Sequence, residues 1–253
     1  MTNANDRNEG LDADAELLAL FAQITSHRPL ELARLLDARG DLASRRILVG
    51  ATRNSADGYF LAAIRHHVYA GDTALHIAAA AYQSGTLRLL VEKGANVQAR
   101  NRRGAEPIHY AADGSPGADY WDPVAQSDAL RYLVEAGADP NAFDKSGVAP
   151  LHRAVRTRSA LAVATLIENG AYPRLKNKRG STPLHLAVQN TGRSNSGSDA
   201  AKEEQGQIIE LLLDQGANPN DTDANGKTAA LLVSSKWIGA LLNASATSSE
   251  TTS

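Results

Sequence analysis

The feature that most constrains this chain is a pair of glycines whose separation never changes. One glycine opens an eight-residue motif, which reads Gly71-Asp-Thr-Ala-Leu-His-Ile-Ala78, Gly104-Ala-Glu-Pro-Ile-His-Tyr-Ala111, Gly147-Val-Ala-Pro-Leu-His-Arg-Ala154 and Gly180-Ser-Thr-Pro-Leu-His-Leu-Ala187. The other closes each unit, at Gly94, Gly137, Gly170 and Gly216, and is followed every time by alanine. From closing glycine to next opening glycine is always ten residues, ending at Gly104, Gly147, Gly180 and Gly226. A connection of constant length implies a fixed backbone path. A motif that returns at a fixed period implies a unit that stacks on copies of itself.

From opening to closing glycine the units run 23, 33, 23 and 36 residues, so the basic period is 33, with 10 and 13 extra residues in alternate units. The extra segments lie at Asp113–Gln126 and Asn190–Gln205, between the two expected helices of their units. Ahead of the first unit, Leu17, Leu18, Phe21 and Ile24 sit at amphipathic spacing and predict one helix. Leu30, Leu32, Leu35 and Leu36 predict a second, with Pro29 in its first turn, where a missing N–H costs nothing. From Gly40 to Gly71 the connection is longer than elsewhere and includes Tyr59-Phe-Leu-Ala-Ala-Ile64, which is too apolar to float free.

The residue types inside each unit have physical reasons. Thr73 and Thr182 can cap a helix by accepting an otherwise orphaned backbone N–H, and Pro183 suits the first helical position. Positions seven, four and three before the closing glycine are always apolar: Leu87, Leu90, Val91; Leu130, Leu133, Val134; Val163, Leu166, Ile167; Ile209, Leu212, Leu213. One helix pair cannot bury such a face alone, so the pairs must stack.

On this period, the Thr-Pro-Leu-His-type motif and the Gly-Ala-Asp-Pro-Asn141 and Gly-Ala-Asn-Pro-Asn220 closings, the chain resembles the ankyrin-repeat proteins. The resemblance implies an all-α solenoid of antiparallel helix pairs joined by turn or hairpin loops. It covers one domain, 13–243, divided into an N-terminal helix pair (13–44), an extra covering segment (45–70), repeats at 71–103, 104–146, 147–179 and 180–225, and a C-terminal cap (226–243). Polar stretches 1–12 and 244–253 are expected to be disordered tails. Ala74 departs from the family's proline, Glu106 and Ala149 from its threonine. The resemblance also implies that the imidazoles of His76, His109, His152 and His185 hydrogen-bond within and between neighbouring repeats.

Composition narrows the function. Hydrophobic residues make up 43% of 253 residues, enough for a large core, and the net charge is only −2, so no global field recruits nucleic acid or an anionic membrane. The chain has no cysteine, which removes disulfides, thiolate metal sites and thiol nucleophiles. No run approaches the ~18 apolar residues of a membrane helix, and the first ten residues do not read as a secretory leader. No phosphate loop, nucleophile elbow or metal motif appears. His66 and His67 have no carboxylate at ligand spacing. The expected protein is therefore cytoplasmic and non-catalytic, with no cofactor and no metal, and it binds neither nucleic acid nor a membrane. The family resemblance implies that its partner is another protein and that, as a capped repeat protein, it is a monomer.

The partner is expected on the concave surface of turns and first helices or on the inter-helix edge that the extra segments build. The edge is preferred because the breaks in the period fall there. Equivalent inter-helix turns of stacked repeats share one edge, which gathers Tyr120, Trp121, Asp122, Arg156, Arg158 and Arg193 as a candidate partner surface. Aromatics tend to dominate such surfaces. Small anionic ligand binding by Arg156, Arg158 and Arg193 is the alternative. Residues 151–180 carry seven basic side chains against Glu168 alone. Arg174 to Arg179, however, fall in the inter-repeat turn, at the opposite end of the helices, so no single basic stripe is expected. As a core position of the repeat, Leu184→Ala should lower stability by ~2–5 kcal/mol in chemical denaturation; a loss under about 0.5 kcal/mol would contradict its placement in the core.

Overall fold

The computed structural model describes residues 4–53, 56–189 and 198–250, with side chains within 14–243 of those stretches. It is an all-α stack of antiparallel helix pairs. The pairs are α1 (Ala4–Thr25) with α2 (Pro29–Ala38), α3 (Ala74–Ala80) with α4 (Ser84–Glu92), α5 (Pro107–Ala112) with α6 (Pro123–Glu135), and α7 (Pro150–Thr157) with α8 (Ala160–Glu168). They continue with α9 (Pro183–Ala187) and α10 (Asp199–Asp214), then α11 (Ala229–Leu232) and α12 (Lys236–Glu250). The short helices α3, α5, α7 and α9 pack in one layer, and α4, α6, α8 and α10 in a second. One apolar core runs the length of both, with Leu87, Leu90, Leu130, Leu133, Val163, Leu166, Ile209 and Leu212 all fully buried.

Each short helix is fixed by its histidine. The backbone N–H of Thr73 donates to Nδ1 of His76 at 3.2 Å, and the other ring nitrogen, Nε2, donates to the carbonyl of Ala105 in the next repeat at 3.1 Å. His109 bridges Glu106 N–H to Val148 O, His152 bridges Ala149 N–H to Ser181 O, and His185 bridges Thr182 N–H to Lys227 O. Because Nδ1 must accept, the ring proton sits on Nε2. The bridge does not need the threonine hydroxyl, which explains why Glu106 and Ala149 are tolerated at the cap. Glu106 is buried, and burial raises its carboxyl above the usual range even though Arg100 reaches one of its oxygens at 2.9 Å.

The opening glycines have a steric reason. Gly180 has φ of 71°, and a Cβ there would lie 2.4 Å from the backbone nitrogen of Ala224 in the next connecting finger. Gly147 stands in the same relation to Lys178, at 2.8 Å. Fingers of successive repeats thus stack backbone on backbone.

The segment between the first helix pair and the first repeat folds over the N-terminal end. Asp14 in α1 is fully buried and accepts from Leu48 N–H, Val49 N–H and the Tyr59 hydroxyl at 2.7–3.0 Å. Burial, then the bond to Asp14, pushes the Tyr59 phenol well above its ordinary range. A small antiparallel ribbon, β1 (Phe60–Leu61) with β2 (His66–His67), follows; the His67 ring lies 4.8 Å from Phe60 and His66 4.7 Å from Tyr110. Ile47 N–H donates to Asp72 O at 2.8 Å. In the first repeat Asp72 O occupies the position that accepts an imidazole in every later one.

Four boundaries differ from the sequence expectation. Helical backbone in α1 and α12 reaches into the stretches expected as tails, 1–12 and 244–253, because extending a nucleated helix adds one hydrogen bond per residue ordered. The second and third extra segments are not loops throughout: Pro123–Gln126 and Asp199–Gln205 lengthen α6 and α10 at their starts. Side-chain caps explain both, since Asp122 accepts from Val124 and Ala125 N–H, and Ser198 from Ala201 N–H.

The buried rings carry a pH signature. Burial holds His76, His109 and His152 below the usual imidazole range, His109 down to about 4. Below pH 6.5 the unfolded chain takes up protons that the folded chain refuses. Stability present at neutral pH should therefore be lost as pH falls from about 6.5 towards 4, by up to roughly 1.4 kcal/mol per pH unit for each ring. Urea midpoints measured between pH 7.5 and 4.5 check this; a flat profile contradicts the neutral-ring assignment.

Candidate functional site

The alternation of short and long outer helices decides what the candidate residues can do. In α6 the buried Gln126 side chain donates to Ala111 O at 2.9 Å, closing the end of α5. Its oxygen accepts from Trp121 Nε1 at 3.0 Å and from Ser159 Oγ of the next repeat at 2.9 Å. Gln205 does the equivalent in α10, donating to Ala187 O at 2.6 Å. Both glutamines stand eleven residues before their closing glycine, as does Gln83, whose amide reaches Ile24 O at 2.7 Å. That shared offset is the sequence signal that identifies them, and it is absent from the site residues expected above.

The second extra segment is tied down on both sides. Tyr82 of the preceding repeat donates its hydroxyl to Asp113 O at 2.5 Å, and Gly114 N–H donates to Thr157 Oγ1 at 3.0 Å. Arg153 bonds Asp113 at 2.6 Å and Asp144 at 3.0 Å, while Arg156 reaches Asp113 at 3.2 Å. Tyr120 donates to Ser115 at 2.9 Å, and Asp122 is occupied as the α6 cap. Tyr120, Trp121 and Asp122 are thus each engaged within their own segment. Arg193 lies outside the described residues.

Arg156 and Arg158 instead line a groove of about 540 Å³ between α7 and α9, together with Arg179, Leu186 and Gln189. Its lining includes no carboxylate. Arg156 enters from the last turn of α7. Arg158, one residue beyond that helix, has φ of 58° and donates to Gln189 O at 3.0 Å. Burial lowers the Arg158 guanidinium pKa from its ordinary value, so a bound anion would favour the charged form. Arg179 enters from the finger and is exposed.

The expectation that finger cations and inter-helix cations fall on separate edges is corrected here. An eight-residue helix such as α7 is only ~12 Å long at 1.5 Å per residue. Both of its ends therefore border one groove, and the finger folds over it. Among the described residues, no group of three or more His, Asp or Glu stands close enough to hold a metal, and no helix is long and apolar enough to cross a membrane.

The family model described as Ankyrin repeats (3 copies) matches residues 39–144 and 124–196, and the model described as Ankyrin repeat matches 179–224. No curated protein was found that matches the chain. The groove lies within the matched span. Removing the shared glutamine side chain strands three polar partners, so Gln126→Ala should cost about 2 kcal/mol or more in urea denaturation; an unchanged midpoint would mean that water replaces the amide.

Proposed function

The chain belongs to the ankyrin-repeat family, and from that premise we propose that it is a non-catalytic scaffold that holds another protein in the groove between α7 and α9. Ankyrin repeats generally serve protein–protein interaction. The observation that carries the choice of surface is the set of three guanidinium groups, Arg156, Arg158 and Arg179, lining one open groove with no carboxylate among the lining residues. Arg fork geometry suits carboxylates and leaves room for specificity. Leu186 supplies an apolar patch on the same wall. The inter-helix edge is the weaker candidate, because Trp121 and Asp122 spend their polar atoms on the scaffold.

Quantitative capture of partners by the tagged chain tests this. Arg158→Glu should weaken recovery of the partner about tenfold, whereas Trp121→Ala should lower the melting temperature and leave recovery unchanged. The reverse pattern would return the site to the edge. Saturable thermal stabilisation by citrate, lost in Arg156→Ala, would instead favour the small anionic ligand.

A further inference from the structure

The fingers carry a second pattern that the groove alone does not explain. Arg46, Arg102, Arg103, Lys145, Lys178 and Arg179 occupy the first four of them, and all six are exposed. Backbone bonds join the first three fingers, Arg102 N–H to Ala70 O at 2.7 Å and Lys145 N–H to Arg103 O at 2.8 Å, and the fourth to the one after it, Ala224 N–H to Arg179 O at 2.9 Å. The Lys178 ammonium also reaches Lys145 O.

None of these six cations forms an ion pair among the described residues. Arg46 bonds Arg100 O, Arg102 bonds Ala51 O, and Arg103 lies 4.2 Å from the centre of the Tyr69 ring. Two of the acids beside these cations face inward, while Asp139 at the base of the third finger is exposed. Asp72 is fully buried under Tyr110 and Asn101, and Asp144 accepts from Ser146 N–H, Val148 N–H and Arg153. In the second to fourth fingers the turns themselves cause this sorting: Asn101, Asp144 and Asn177 at the start of each tip accept from backbone N–H groups, so the next positions carry the outward charge. A chain of net charge −2 thereby presents a ridge of six exposed cations.

We propose that this ridge and the groove it borders form one track for an extended acidic polypeptide, with a carboxylate at about every third residue. The inference rests on the reading of the groove as a partner site and adds the partner's chemistry. Stacked repeats are spaced by about one helix diameter, ~10 Å, and an extended chain advances ~3.3–3.4 Å per residue, which gives about three residues per finger. Arg179 belongs to both ridge and groove, so the track ends where Arg156 and Arg158 receive the last acidic side chain. A nucleic-acid duplex fits less well, because its phosphates recur every ~3.4 Å along a strand, roughly three to each finger's one or two cations.

Fluorescence anisotropy with the full chain tests the spacing. The probes are labelled peptides of about twelve residues: one with glutamate at every third position among serines, one with the same glutamates contiguous, one with glutamine in their place, and an oligothymidine. The periodic peptide should bind about tenfold more tightly than the contiguous one. Lys145→Glu and Arg179→Glu, both exposed and checked for unchanged melting temperature, should each weaken it about tenfold. Raising salt should weaken it further. Equal binding of periodic and contiguous peptides, neutral charge reversals, or oligothymidine binding as tightly as the periodic peptide would each overturn the proposal. If peptides fail while Arg158→Glu still abolishes partner capture, only the acidic track falls; if that capture is also indifferent to Arg158, the groove reading falls with it.

Discussion

The neutral imidazole is the interaction on which the rest of the stack depends. Each ring accepts from the N–H that opens its own short helix and donates to a carbonyl just past the next opening glycine, at 3.1–3.2 Å in all four repeats. One side chain therefore satisfies an orphan donor at a helix start and sets the distance to its neighbour. The constant ten-residue connection follows, because the accepting carbonyl can be in reach only if the finger has a fixed path. The glycine before that carbonyl follows as well at Gly104, Gly147 and Gly180, since the next finger's backbone lies where its Cβ would be.

This hierarchy explains what could be read in advance. Periodic constraints leave periodic residues, so the helix pairs, two buried positions and one half-buried position in each outer helix, and the family were legible from glycines and leucines. The lengths of α6 and α10 were less so. Their added turns begin at Asp122 and Ser198, caps of an ordinary kind, but they are embedded in segments whose glycine, proline and serine content reads as loop. Gln126 and Gln205 were countable at a fixed offset, yet an amide says nothing of its partner until the carbonyl it closes is placed.

The candidate site was legible only in part, for a geometric reason. Arg156 and Arg158 are close in sequence to the inter-helix turn, whereas Arg179 belongs to a finger twenty-one residues beyond Arg158. Only the shortness of α7 and α9 brings them to one groove. Charge counts mislead in the same stretch. Of its seven basic residues, Arg153, Arg156 and Arg174 are paired to Asp113, Asp144 or Asp221, while Arg158, Lys176 and Lys178 reach carbonyls. Which cations remain available is a property of turns and pairings, not of composition.

The row of rings also has a direction: every Nε2–H points toward the C-terminal neighbour. Such a row leaves one dangling acceptor at its beginning and, had the last unit a histidine, one dangling donor at its finish. Neither exists here. Ile47 N–H supplies the first acceptor, Asp72 O, from the covering segment, and the unit opening at Gly226 reads Lys-Thr-Ala-Ala-Leu231, with no ring to pass the series on. The series of rings is thus terminated chemically on both sides, by a donor already placed on Asp72 O and by Leu231 where a fifth ring would stand.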